Sequence, residues 1–577
     1  MEIKIINGEY DVLIIGGGGS GLAAAIFARR KGLKVVVISK THPLKSHTVA
    51  AQGGINASLG NVTEDDWMRH AYDTIKASGG LADGDSVEFM CKAAPDAIYM
   101  LSSLGVEFDL RPDGKIDQKI YGGQSADFGK GELAYRACFA KDRTGHSIMV
   151  KLYAEAVRIG IDFYNYQFAL DLLCKDDICF GVACLDIEKG IINLFAAKNT
   201  VIATGGGSQI FATTTSSAIC TGDGNGLASR AGVNLQDMEF VQFHPTALNK
   251  IGILITEAAR SAGGILLNGL GERFMNIYEP RFKELATRDV VARAIATEIV
   301  KGNGVGELKD HILLDLTHLS SEEIKKNLPT VFENCREFVN IDPSVDLIPI
   351  APAAHYSMGG IPTDNNCRVV KFENQKDQIF KRLYAIGEAA SVSVHGAGRL
   401  GCNSLLDLIV FANKVVDHLE TESCERDMDH FKPSLINKFT AIFHKKNYGV
   451  GSLTQDLKNI MTKYVGVFRS AESLATAAKE IKIIERKFNE TGIKDKSLQW
   501  NLDLQHYFEL ENMLISAKAT VYSALWREES RGAHWRNDFQ DRSDKYIGHT
   551  IFNSRTGYLY LRPVRKSALT RDFYHFE

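Results

Sequence analysis

Apolar positions along the chain follow two periods, and the switch between them marks the elements. Residues 10–15 (YDVLII) are apolar and β-rich, residues 16–21 (GGGGSG) form a glycine turn, residues 22–31 are alanine-rich, and residues 34–38 (KVVVI) are β-branched. That order predicts strand, turn, helix and strand, the unit that cradles a dinucleotide. A second apolar run at 199–204 ends in Gly205-Gly206-Gly207, and a third at 382–386 ends in Gly387-Glu388. Both read as further strands that deliver glycine to the same nucleotide, so a nucleotide-binding domain interrupted by an insertion is expected. Over residues 470–488, Leu474, Ala477, Ile481, Ile484 and Phe488 recur at three- to four-residue steps, which predicts one apolar face of a helix in a following helical domain.

Length adds that 577 residues exceed one ordinary domain, so roughly three or four packed units are expected. Hydrophobic residues at 45%, charged residues at 24% and a formal net charge of -3 describe an ordinary globular chain. No bias toward nucleic acid or an anionic membrane surface is present. No apolar stretch approaches the about 20 residues of a membrane span, and no leader is visible. The Arg29-Arg30 pair lies inside the predicted helix and does not read as a twin-arginine signal. The ten cysteines (Cys91, Cys138, Cys174, Cys179, Cys184, Cys220, Cys335, Cys367, Cys402 and Cys424) never show the two-residue separation typical of zinc or iron-sulfur ligation, so they are expected as reduced thiols, and no metal site is expected.

Gly16, Gly18 and Gly21 form G-x-G-x-x-G between the first strand and helix, which lets a pyrophosphate approach bare backbone at the positive end of a helix. The second strand ends in Ser39 and Lys40, where an acidic residue would ordinarily bind ribose. Residues 46–54 read SHTVAAQGG, including His47, Gly53 and Gly54. Further segments are GGQS at 122–125 with FGKG at 128–131, DRTGH at 142–146, FVQFHPT at 240–246, Thr256-Glu257, TRD at 287–289, HYSMGG at 355–360, GEAA at 387–390, RLGCNSL at 399–405 and SRGAH at 530–534. In kind and order these segments resemble the succinate dehydrogenase and fumarate reductase flavoproteins. The resemblance is thin at 162–199, at 425–500 and after residue 541.

That resemblance implies an α/β fold. A Rossmann-like FAD-binding domain (1–243 and 355–425) is interrupted by an α+β capping domain (244–354), then followed by a helical domain (426–535) and a small C-terminal domain (536–577). It implies FAD joined covalently through its 8α carbon to His47. Gly16, Gly18, Gly21, Ser39, Gly53 and Gly54 would lie around the cofactor. Asp223 and Glu388 would accept from its hydroxyls, and Ser404 and Leu405 would sit by the isoalloxazine carbonyl. His244, Thr256, His355 and Arg399 would clamp the two carboxylates of a four-carbon diacid. Each also has a structural reading, a buried hydrogen bond for the clamp residues and a helix N-cap for Asp223 or Glu388.

Hydride exchange at one substrate carbon requires proton exchange at its neighbour. The resemblance gives that role to Arg288, with Glu257 and Arg260 relaying the proton onward. A guanidinium is a poor base, so the role needs neighbouring cations such as Arg399 and Arg260 to disfavour its charged form; the alternative is that Arg288 only compensates substrate charge. Implied partners are an iron-sulfur subunit and membrane anchor subunits with a quinone. The expected location is the cytoplasmic side of the cytoplasmic membrane, peripheral through those partners. Three rivals remain: an L-aspartate oxidase-like enzyme, a soluble fumarate reductase, and an FAD-binding electron-transfer module without its own substrate. The direction of reaction is not legible, because the same groups stabilise one transition state from both sides.

Overall fold

The computed structural model describes residues 2–422, 428–445 and 449–575, and Cys424 lies outside them. Its centre is an eight-stranded mixed sheet. Five strands run parallel: Asp162–Asn165, Val35–Ser39, Ile3–Ile15, Ile191–Ile202 and Lys376–Ala385. The antiparallel hairpin of Gln167–Lys175 and Ile178–Asp186, with Arg368–Glu373, completes it. One face is covered by the helices Gly19–Arg30, Thr144–Arg158 and Asn403–Val416 around a core that includes Val12, Ile14, Leu22, Val37 and Leu406. Strands covered on both faces read as continuous apolar runs, which is the pattern of residues 12–15 and 35–38.

The first strand begins at Ile3, earlier than residue 10. Its early half is broken in sequence by Gly8 and Glu9, where Glu9 adopts φ +45° and the register shifts between Ile6 and Tyr10. Such a bulge hides strand periodicity while the pairing to Ile191–Ile202 continues. The third apolar run likewise belongs to a longer strand, Lys376–Ala385, whose first four residues are exposed and, but for Ile379, polar.

Between the two passes through the central sheet lies an antiparallel four-stranded sheet, ordered Val241–Leu248, Ile348–Ser357, Ile312–Asp315, Ile265–Leu267, packed against the helix Arg288–Val300. The helices Lys432–His444, Val450–Tyr464, Ala471–Glu490 and Leu502–Trp526 build a second core. Leu474, Ala477, Ile481, Ile484 and Phe488 are all buried in it, and Ser470 caps the helix that carries them. The C-terminal strands His549–Phe552 and Leu559–Arg562 join Leu235–Gln236 in a small antiparallel sheet. The chain is thus α/β, with an interrupted nucleotide-binding sheet, an inserted α+β unit and a helical layer. Among the described residues no helix is long and apolar enough to cross a membrane.

Candidate active site

The glycine turn leaves the first strand with Gly16 at φ +115°, and a Cβ there would lie 2.2 Å from the Ala203 carbonyl oxygen. A Cβ on Gly21 would meet the Gly16 oxygen at 1.9 Å, so the third glycine permits close packing of helix on strand. A Cβ on Gly18 would meet nothing nearer than 3.7 Å, and the helix Gly19–Arg30 starts there with no side-chain cap. Bare backbone and unpaired N–H groups at a helix start suit an anionic pyrophosphate.

The turn opens into a cavity. Of the sequence-predicted residues, Gly16, Gly18, Ser39, His47, Gly53, Gly54, Asp223, His244, Thr256, Glu257, Arg288, His355, Glu388, Arg399, Ser404 and Leu405 line it. Gly21 and Arg260 stand behind the wall: Gly21 against Gly16, and Arg260 with Nη2 3.6 Å from Glu257 Oε2. The wall carries buried polar atoms without protein partners, Thr204 Oγ1, Gln52 Oε1 and Arg399 Nε, as expected where a polar ligand completes the bonding.

At the nucleotide end, Asp223 opens the helix Asp223–Arg230, with Gly222 in the cap position, and its Oδ2 lies 2.8 Å from Lys40 Nζ. Lys40 also bonds Glu509 Oε1 at 2.9 Å. Burial opposes the lysine charge, but the two carboxylates raise it above its ordinary value. Glu388 accepts from the Ser357 N–H at 3.0 Å, and burial pushes its carboxyl up to about 7.

His47 begins the short helix His47–Ala50 and is half-buried. Its Nδ1 accepts from the Ser217 N–H at 3.2 Å. Burial, then the Arg399 charge, lowers it to about 4, so the ring is neutral.

The cationic end is built by the inserted unit and the loop before the helix Asn403–Val416. Arg288, first residue of its helix, donates from Nε to Glu257 Oε2 at 2.9 Å, and its Nη1 lies 3.3 Å from His355 Nε2. Glu257 Oε1 accepts from the Gly122 N–H at 2.9 Å. Burial disfavours the Glu257 charge, yet Arg260 and Arg288 outweigh it and hold the carboxyl below its usual value. Arg260 Nη1 donates to the Glu284 carbonyl. Arg399 stacks over Tyr356, 4.4 Å from the ring centroid, and donates from Nη1 to Ser404 Oγ at 3.1 Å. Burial, then Arg288, lowers it to about 10. His244 and His355 lie with ring centroids 4.9 Å apart, and burial with the arginine charges holds both well below the usual histidine value. They are neutral, so the positive charge belongs to Arg288 and Arg399. Thr256 caps the helix Glu257–Ser261 through its hydroxyl.

Several wall residues lay outside the sequence reading of the site. Lys40, Thr204, Leu254 and Tyr356 line the cavity, and Gln242 supports it by donating to the Arg399 carbonyl at 2.9 Å. The position of Lys40 at the carboxyl end of a parallel strand was a usable signal for it, since open α/β sheets bind ligands there. Leu254 carried none.

Residues 11–405 match the family described as an FAD binding domain, and residues 454–573 match the fumarate reductase flavoprotein C-terminal family. The succinate dehydrogenase flavoprotein subunit of Rickettsia conorii is 46% identical over 99% of this chain and 97% of its own. The mitochondrial succinate dehydrogenase [ubiquinone] flavoprotein subunit of Oryza sativa is 44% identical over 99% and 92%. An E. coli quinol fumarate reductase structure superposes with a TM-score of 0.91, at 32% identity and 98% coverage of both chains. The glycine turn, the cavity and these likenesses together place the chain in the family of FAD-binding succinate dehydrogenase and fumarate reductase flavoprotein subunits, a family of oxidoreductases.

Proposed function

We propose that this chain interconverts succinate and fumarate on an FAD joined to His47. The observation that carries the reading is the meeting, in one cavity wall, of the glycine turn with Arg288 and Arg399. Two fixed guanidinium groups, with the neutral rings of His244 and His355 beside them, match a dianion with a carboxylate at each end. When bound, FAD supplies the ring that takes up or returns hydride. The protein's own part is position and proton. Arg399, with Nε unpartnered, holds one carboxylate, and Thr256, His244 and His355 hold the remainder. Arg288 exchanges the proton of the neighbouring carbon at an Nη atom. Glu257 touches both Arg288 and Arg260 through Oε2, which supports passage of the proton away from the site.

Attachment at His47 is supported by its hydrogen bond. With Nδ1 accepting from Ser217, a neutral ring alkylated at Nε2 keeps the acceptor that this contact requires. Asp223 and Glu388 are proposed to receive the ribose-side hydroxyls, and Ser404 and Leu405 to flank the ring. Electrons would pass to an iron-sulfur subunit and onward to a quinone in membrane anchor subunits; the similarity to a succinate dehydrogenase [ubiquinone] flavoprotein subunit supports that route. The chain would then sit peripherally at the cytoplasmic face of the membrane.

The test is acid precipitation of protein produced with its assembly factor, followed by a denaturing gel. Flavin fluorescence is expected at the mass of the chain and is lost in His47→Ala. Release of flavin from the wild-type chain overturns the covalent reading. Succinate that fails to bleach the bound flavin, with fumarate failing to restore it, overturns the activity.

A further inference from the structure

The hairpin of Gln167–Lys175 and Ile178–Asp186 turns through Asp176 and Asp177, both in the left-handed region at φ +51° and +57°. Two residues with positive φ make a type I′ two-residue turn closed by Lys175 and Ile178. In such a hairpin the closing pair exchanges the hydrogen bonds, so the next pair outward, Cys174 and Cys179, is of the non-hydrogen-bonded kind. Cα atoms in that position stand roughly 4.5 Å apart, within the roughly 4.4–6.8 Å span of a disulfide. The Cys179 thiol donates to the Gly181 carbonyl at 3.5 Å. The tip is pinned in place: Lys371 pairs with Asp177, and the Lys381 N–H donates to the Asp177 carbonyl at 2.9 Å. Among the described cysteines all are buried except Cys174, which is partly buried.

We propose that Cys174 and Cys179 form a disulfide-exchanging dithiol, a modification site for small disulfides of the glutathione class. After its proton leaves to water, the Cys174 sulfur attacks one sulfur of the small disulfide, forming a mixed disulfide and expelling one thiolate. The Cys179 sulfur then attacks Cys174 Sγ, forming the Cys174–Cys179 bond and expelling the second thiolate. The chain loses two hydrogens and two electrons, and the small disulfide becomes two thiols. The neighbouring Cys179 and burial raise the Cys174 thiol above its usual value, and the Lys371 charge opposes that rise. Only residues 175–178 lie between the two cysteines, so closure constrains little of the unfolded chain; the bond is a reversible one and not a staple.

The test incubates the flavin-loaded full chain with oxidised glutathione, quenches with acid, alkylates free thiols and maps tryptic peptides, since cleavage after Lys175 separates the two cysteines. Expected are peptides joined through Cys174 and Cys179 with no retained glutathione. In Cys179→Ser, and in Cys179→Ala should the hydroxyl disturb the core, Cys174 is expected to retain glutathione. In Cys174→Ser, Cys179 is expected to stay unmodified. Alkylation of both cysteines in the oxidised wild-type chain, or glutathione retained on its Cys174, would overturn the proposal.

Discussion

Arg288 is fixed by groups that a single ammonium cannot reproduce. Its Nε meets Glu257, while Nη1 lies 3.3 Å from His355 Nε2 and 3.5 Å from Gln242 Oε1. Arg288→Lys offers one nitrogen where the arginine fork offers several. Turnover of succinate with an artificial electron acceptor is expected to fall by about 10²–10⁴, with a smaller change in KM, because proton transfer contributes on that scale. Near-normal turnover would leave Arg288 with charge compensation alone. Glu257→Gln keeps the shape and the Gly122 contact but removes the charge between Arg288 and Arg260. A loss of about tenfold or more in kcat is expected, with a changed pH profile of kcat; an unchanged profile would take Glu257 out of the proton route. These residues were legible only because each stands inside an ordered motif. The tie between Lys40 and Glu509, 469 positions apart, lies in no motif, and that between Gln52 and the Leu254 carbonyl reaches outside the one motif it starts from. Only the folded sheet brings such groups together.

The glycine turn separates two demands that its sequence writes with one letter. Gly21→Ala places a Cβ against backbone oxygen, so the helix Gly19–Arg30 must move off its strand. A loss of stability of about 1–3 kcal/mol or more is expected in thermal unfolding of the flavin-free chain. Gly18 has φ -77° and open space, so Gly18→Ala should leave the flavin-free chain within about 0.5 kcal/mol of wild type. The flavin content of the purified Gly18→Ala protein should nonetheless fall if its methyl occupies the space proposed for the pyrophosphate. Full flavin occupancy in Gly18→Ala would show that the cofactor does not approach there. Elements with one clean period were readable in the same way, the helix around Leu474 and Ile481 foremost. The bulged start of the first strand and the exposed start of Lys376–Ala385 were not, because pairing to a neighbouring strand, and not their own pattern, makes them strands.

At the scale of the whole molecule, distant parts of the chain are joined through one buried histidine. His549, on a C-terminal strand, places Nδ1 2.6 Å from Asp237 Oδ2, just before the inserted sheet, and Nε2 3.2 Å from Asp83 Oδ1, at the start of the helix Gly84–Ser103. Asp83 also accepts from the Arg565 N–H at 2.6 Å. Burial opposes charge on the ring, but the two carboxylates outweigh it and raise His549 to about 9. A histidine raised on folding stabilises fully below its unfolded value of about 6.5, and that contribution is lost as pH rises through the folded value. Unfolding of the full chain is therefore expected to become easier between about pH 6.5 and 9, by about 1–3 kcal/mol. His549→Gln removes the counter-charge of two buried carboxylates and should cost about 3–5 kcal/mol at low pH. It should also flatten the difference over that window, since every other titrating group is common to both proteins. Denaturant unfolding of the two proteins across the range reads this directly: parallel curves would mean that His549 is neutral in the fold, and that the arginines near Asp83, Arg565 with Nη2 at 2.9 Å foremost, balance it instead.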